Sequence, residues 1–156
     1  NLMDGNGKEF LPKEKTGRAV FVTSLWKLAG CPDGDKEISF TDELSDDEQK
    51  AVRWAYSVGI VKGLTETCFG AQQELTREQA AVLLYRYAVL NGTAASADIE
   101  ENAFADIGDV ADYAKTAVSY AAQKGWINGR GSGYMCPKSS LLRAEAAAIL
   151  QRCFAE

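Results

Sequence analysis

At 156 residues, 46% hydrophobic and 25% charged, the sequence has the size and composition of one globular domain with its own apolar core. No apolar run reaches the roughly 18 residues of a membrane span, and a net charge of −5 excludes a general binder of nucleic-acid backbone, which needs a dense Lys/Arg surface. The complete absence of histidine excludes histidine-containing zinc sites and Ser/His or Cys/His nucleophile pairs.

The first predicted element is a helix from Gly17 to Ala29, with Phe21, Leu25 and Leu28 on its inner face and Trp26 in the core. A second helix is expected over Asp46–Val58, where Ala51, Val52, Ala55 and Val58 recur at helical spacing and Trp54 and Tyr56 add aromatic bulk. The acids Glu43, Asp46, Asp47 and Glu48 suit the positive end of its dipole, and Gly59 stops it because a left-handed cap costs glycine little. After a loop from Gly63 to Leu75, Thr76 and Gln79 form a capping box. The helix they open has Ala80, Leu83, Leu84, Tyr87 and Ala88 inward and closes at Asn91-Gly92.

The polar Ala/Ser-rich stretch Thr93 to Asn102 reads as a linker. A helix from about Val110 to Lys124 follows, with Ala114, Ala117, Val118 and Ala121 on one face, then a glycine-rich loop from Gly125 to Gly133. The closing helix, Leu142 to Phe154, points Ala146, Ile149, Leu150 and Cys153 inward. Lys27, Arg86 and Arg152 fall near helix C-termini, where the dipole favours a cation. No segment alternates with a two-residue period, so the fold class is all-α.

These elements repeat. Gly59-Ile60-Val61-Lys62-Gly63, Phe69 and Thr76-Arg77-Glu78-Gln79 return as Gly125-Trp126-Ile127-Asn128-Gly129, Met135 and Leu142-Arg143-Ala144-Glu145. A clipped copy, Asn1 to Gly5, Phe10-Leu11-Pro12 and Gly17-Arg18-Ala19, opens the chain. Arg18, Arg77 and Arg143 each follow the loop Phe or Met by eight residues. The expected organisation is one domain, 1–156, of three stacked units: 1–35, 36–97 and 98–156. The first unit starts at its glycine turn and lacks a first helix. That helix is expected either on sequence removed from the chain or on a separate polypeptide segment.

In this order the motifs resemble the surface-layer homology domain, the three-motif module of bacterial cell-surface proteins. The matches are Phe40-Thr41-Asp42 and Phe104-Ala105-Asp106, Trp54-Ala55 and Tyr120-Ala121, the two glycine-flanked turns, Phe69 and Met135-Cys136-Pro137, and Leu75-Thr76-Arg77-Glu78 and Leu141-Leu142-Arg143-Ala144-Glu145. The resemblance implies three helix-loop-helix motifs around a pseudo-threefold axis with grooves between neighbours. It also implies non-covalent binding of an anionic secondary cell-wall polysaccharide, often pyruvylated, that anchors an exported protein to the Gram-positive surface. No cofactor and no catalysis are implied.

A helix N-terminus with open N–H groups stabilises a carboxylate, and an arginine in its first turn adds a charge-assisted partner. Carboxylate binding is therefore expected at Arg18, Arg77 and Arg143, close backbone approach to a sugar at Gly5, Gly63 and Gly129, and sugar packing at Trp54, Tyr120 and Trp126. Only the middle unit keeps a full capping box, at Thr76; Gly17 caps tolerably and Leu142 does not, so the groove of Arg77 ranks first.

Two other function classes remain open. A protein-interaction module would use the vacant first-helix position to dock a partner helix. A glycan-active enzyme would need two carboxylates across a cleft, and nothing singles out such a pair. Asp4-Gly5-Asn6-Gly7 is no calcium loop, since Lys8 and Lys15 take its fifth and twelfth positions. The cysteines Cys31, Cys68, Cys136 and Cys153 form no CxxC pair; if the protein is exported they permit disulfides, with all three pairings open. No positively charged leader opens the chain and Asn1 is no initiator, so the sequence reads as a mature or cut product.

Overall fold

A computed structural model describes Met3, residues 9–94 and residues 104–155. Among these residues the chain is all-α: helices α1 (Arg18–Leu28), α2 (Asp46–Ser57), α3 (Arg77–Leu90), α4 (Lys115–Gln123) and α5 (Arg143–Cys153), with single 3-10 turns at Ile107–Asp109 and Asp112–Ala114. Extended pairing among them is limited to isolated bridges such as Thr76 with Ser140. Among the described residues no helix is long and apolar enough to cross a membrane. The chain groups into two compact units, Asn1–Glu74 with Leu142–Ala147, and Leu75–Leu141 with Ala148–Glu156.

In the first unit α1 packs on α2. Their buried faces carry Ala19, Phe21, Val22 and Leu25 from α1 and Ala51, Val52, Trp54 and Ala55 from α2. The helix α2 opens with a capping box that sequence reading of the acidic cluster passed over: the Ser45 hydroxyl accepts from the Glu48 N–H at 3.4 Å, and the Glu48 carboxylate accepts from the Ser45 N–H at 2.9 Å. Its last turn passes to Gly59 at φ 81, as expected. Gly17 has no side chain to cap α1, and loop carbonyls substitute: the Arg18 and Ala19 N–H groups donate to Gln73 O and Ala71 O at 2.9 and 3.0 Å. The Lys27 ammonium meets Asp47 at 3.3 Å, so this base has a specific partner as well as the dipole.

In the second unit α3 packs on α4. The Thr76–Gln79 capping box is present with both of its hydrogen bonds. Ala80, Leu83, Leu84 and Ala88 are buried, whereas Tyr87 is half-buried with its ring 5.2 Å from that of Phe154. The helix expected from Val110 starts later, after the two 3-10 turns. Its capping position, Ala114, has no hydroxyl or carboxylate, and the Ala111 N–H donates to Glu78 Oε2 at 3.0 Å, which holds that turn out of the helical ladder. Ile149 and Leu150 of α5 are buried in this unit. The expected linker falls largely outside the described residues; at its near end Thr93 O accepts from the Tyr120 hydroxyl at 3.1 Å.

Candidate functional site

The loops that carry Phe69 and Met135 are built around backbone N–H groups that converge. In the first unit the Asp42 carboxylate accepts from Phe69, Gly70 and Ala71 at 2.7, 2.7 and 2.8 Å. In the second, Asp106 accepts from Met135 and Cys136, both at 2.7 Å. Burial pushes the Asp42 carboxyl up, but the N–H groups of Ala71, Phe69 and Gly70 together outweigh it and hold the group below the ordinary aspartate range. Sequence reading noted the Phe-x-Asp recurrence but gave these aspartates no role; their fixed offset ahead of each loop was the available signal.

The first-turn arginines grip those loops. Arg77 Nε donates to Met135 O and its Nη2 to Asn128 O, each at 2.7 Å, and the residue is 2% exposed. Arg143 Nε donates to Phe10 O at 2.9 Å and its guanidinium lies 5.3 Å over the Phe10 ring; this residue is 7% exposed. Arg18, half-buried, donates from Nη2 to Lys62 O at 2.7 Å and lies 4.8 Å over Phe69.

The expectation of open N–H groups at these helix starts is corrected. Arg77 and Glu78 donate to Ser139 O and Pro137 O, and Arg143 and Ala144 to Glu14 O and Pro12 O, as Arg18 and Ala19 do to Gln73 O and Ala71 O. Thr76 is a capping residue whose hydroxyl accepts from Gln79. At α5, where Leu142 cannot accept, only the reciprocal half of the box survives, the Leu142 N–H donating to Glu145 Oε2 at 2.9 Å. These amides serve the fold because an uncapped helix end buried against a loop must find internal partners.

The glycine and aromatic expectations are also redrawn. A Cβ on Gly63 would stand 2.3 Å from Thr65 O and 2.5 Å from the Phe40 ring, and one on Gly129 3.0 Å from Tyr134 O, so the close approach each permits is to its own chain. Trp54, Tyr120 and Trp126 are 3%, 0% and 4% exposed and therefore present no ring face to a sugar. Tyr120 and Trp126 meet edge to face at 5.4 Å, a core pairing. Gly5 lies outside the described residues.

One cavity adjoins an expected residue. About 280 Å³ in volume, it is lined in the second unit by Phe104, Ser119, Ala122, Gln123, Ile127, Asn128 and Gly129. Its wall is the turn that Arg77 holds through Asn128 O. Half-exposed Tyr134 and exposed Arg130 belong to the same loop, with Arg130 N–H donating to Tyr134 O at 2.8 Å. A larger cavity of about 440 Å³ in the first unit is lined by Ser45, Asp46, Asp47 and Glu48 with Met3, Val20, Thr23, Ser24 and Lys27. Its carboxylates, against a lysine already paired with Asp47, repel an anion.

The S-layer homology domain model matches residues 39–81 and 103–147, more than half of the chain. The chain belongs to the S-layer homology family. The family places it at the bacterial cell surface, among exported proteins. An exoglucanase XynX of Acetivibrio thermocellus is 30% identical over 147 residues, covering 91% of this chain and 13% of the relative. An amylopullulanase of Thermoanaerobacterium thermosulfurigenes is 28% identical over 143 residues, 91% of this chain and 8% of the relative. A surface-layer 125 kDa protein of Lysinibacillus sphaericus is 28% identical over 159 residues, 96% of this chain and 12% of the relative. This S-layer homology chain thus spans a small part of each of them, and the similarity does not carry over the activity in an enzyme's name.

Proposed function

We propose that this S-layer homology chain anchors an exported protein to the cell envelope by binding an anionic secondary cell-wall polysaccharide, a pyruvylated glycan being one form, without covalent attachment and without catalysis. The observation that carries the reading is the cavity at Asn128 and Gly129 beside the Arg77 guanidinium. Ser119 and Gln123 supply polar groups, Phe104 and Ile127 apolar surface, and the pocket lies near the roughly 300 Å³ lower bound of ligand sites. Arg77 acts from behind the wall, fixing the turn and lending positive charge; Arg130 and Tyr134, further along the loop that carries Asn128 and Gly129, are proposed to meet a ketal carboxylate and a sugar face. Arg18 with Gly63, and Arg143, are proposed as the equivalents in the other repeats.

Co-sedimentation with purified sacculi tests this: the chain is expected in the pellet, and in the supernatant once acid has removed the secondary polymer. Pelleting that ignores the polymer contradicts it.

A second reading, an assembly module completed by a partner helix, is favoured by Ala144. It is exposed, whereas Ala19 and Glu78, at the same offset from their arginines, are 0% and 3% exposed.

A further inference from the structure

The cavity at Gly129 has a counterpart position in the second repeat, and the two are built differently. Phe40 and Gly63 stand there as Phe104 and Gly129 do in the third repeat, and Lys62 O accepts from the Arg18 guanidinium as Asn128 O does from Arg77. The difference comes from the helix ahead of each turn. Ala122, three residues before Gly125, gives the cavity wall only a methyl group, whereas Tyr56 stands three residues before Gly59. The Tyr56 ring meets the Phe40 ring edge to face at 5.5 Å, a favoured aromatic pairing. Phe40 in turn lies against Gly63, where a Cβ would come within 2.5 Å of its ring. The space left open between Phe104, Ala122 and Gly129 is thus taken up in the second repeat by two packed aromatic side chains.

An independent observation lies beside Tyr56 on α2, at Arg53 and Ser57, which neighbour each other across one helical turn. The Lys36 N–H donates to Ser57 Oγ at 2.9 Å, and Arg53 Nε donates to Lys36 O at 3.0 Å. Gly34 lies so close to the helix that a Cβ on it would stand 2.7 Å from Trp54 N, so this segment runs directly on the backbone of α2. Arg53 and Ser57 match Ser119 and Gln123, the polar side chains that α4 gives the third-repeat cavity. The positions that face a ligand in one repeat are engaged by the chain itself in the other.

We infer that Tyr56 closes the binding place of the second repeat and that the strap of residues 34–36 latches it, so that Gly129 marks a working site and Gly63 a latent one. The inference rests on the glycan reading and sharpens it. The side chain at position 56 or 122 decides which repeat takes the acidic saccharide, and an opened second place would take the same one, since Arg18 holds its turn as Arg77 holds the other.

The test follows the backbone amides of Gly63 and Gly129 by NMR, with and without the purified secondary polymer. In the wild type Gly129 is expected to shift on addition and Gly63 to stay. In Tyr56→Ala, or once Ser57→Ala is added to release the strap, Gly63 is expected to shift as well. The converse variant, Ala122→Tyr at a half-buried position, is expected to silence Gly129. A wild-type Gly63 that shifts as Gly129 does overturns the inference alone. So does a Gly63 that stays silent in both opened variants while Gly129 responds, or a Gly129 that responds undiminished in Ala122→Tyr. Silence of both glycines in every protein overturns the glycan reading and this inference with it.

Discussion

Arg77 Nε and Met135 O stand 2.7 Å apart, and the same guanidinium reaches Asn128 O at 2.7 Å, so one buried side chain ties the start of α3 to two points of the loop system beside the cavity. A planar fork can serve two carbonyls in fixed directions; a lysine ammonium on a flexible stem cannot hold both with the same geometry. Arg77→Lys is therefore expected to destabilise the protein by about 1–3 kcal/mol and Arg77→Ala by more, because buried carbonyls lose charged donors. Arg18→Ala should cost less, its side chain being part-exposed. Urea denaturation midpoints check the order.

Asp42 gives a pH dependence. Its folded carboxyl titrates below the unfolded one, so the stability it supplies is present above the unfolded value of about 3.9 and is lost as pH falls through the lower folded value. Thermal melts of the wild type should thus show an acid-sensitive component below about pH 4 that Asp42→Asn removes. At neutral pH Asp42→Asn should itself cost about 2 kcal/mol or more, since an amide accepts at one oxygen and turns its NH₂ toward the donors of Phe69, Gly70 and Ala71.

The two turn glycines separate by distance. Gly63→Ala sets a methyl against Thr65 O and the Phe40 ring at 2.3 and 2.5 Å, and should destabilise by about 2 kcal/mol or more. Gly129→Ala, 3.0 Å from Tyr134 O, should cost less in stability. Because it places a methyl at the cavity wall, its larger effect is expected on glycan affinity, which calorimetry of both variants resolves.

Thr16 is 0% exposed and its hydroxyl has no partner among the described residues, at a position where the other repeats carry the buried Leu75 and Leu141. Thr16→Val removes an unsatisfied group while keeping the shape. It should stabilise by about 1 kcal/mol, read as a rise in the urea midpoint at constant slope.

Much of this was legible in the sequence. Helical periodicity and the repeat together located the five α-helices of the described residues, and Thr76 with Gln79 announced the box that opens α3, because capping depends on residues three apart. What Arg77 holds was not legible: Asn128 lies 51 positions away, and no local pattern distinguishes an arginine facing solvent from one folded onto a carbonyl. Trp54, Tyr120 and Trp126 were ambiguous for the same reason, since an aromatic on a helix face fits a core and a sugar platform alike, and burial decided for the core. The delayed start of α4 depended on Glu78 capturing the Ala111 N–H, again a contact between distant residues.

The account rests on recognition of an acidic group in the cell-wall polymer. Isothermal titration of the chain with the purified polymer, before and after chemical removal of its ketal carboxylates, measures that directly. Saturable binding that weakens about tenfold or more on removal, the loss of one charge-assisted hydrogen bond, is the predicted result; equal affinity for the two forms would contradict it.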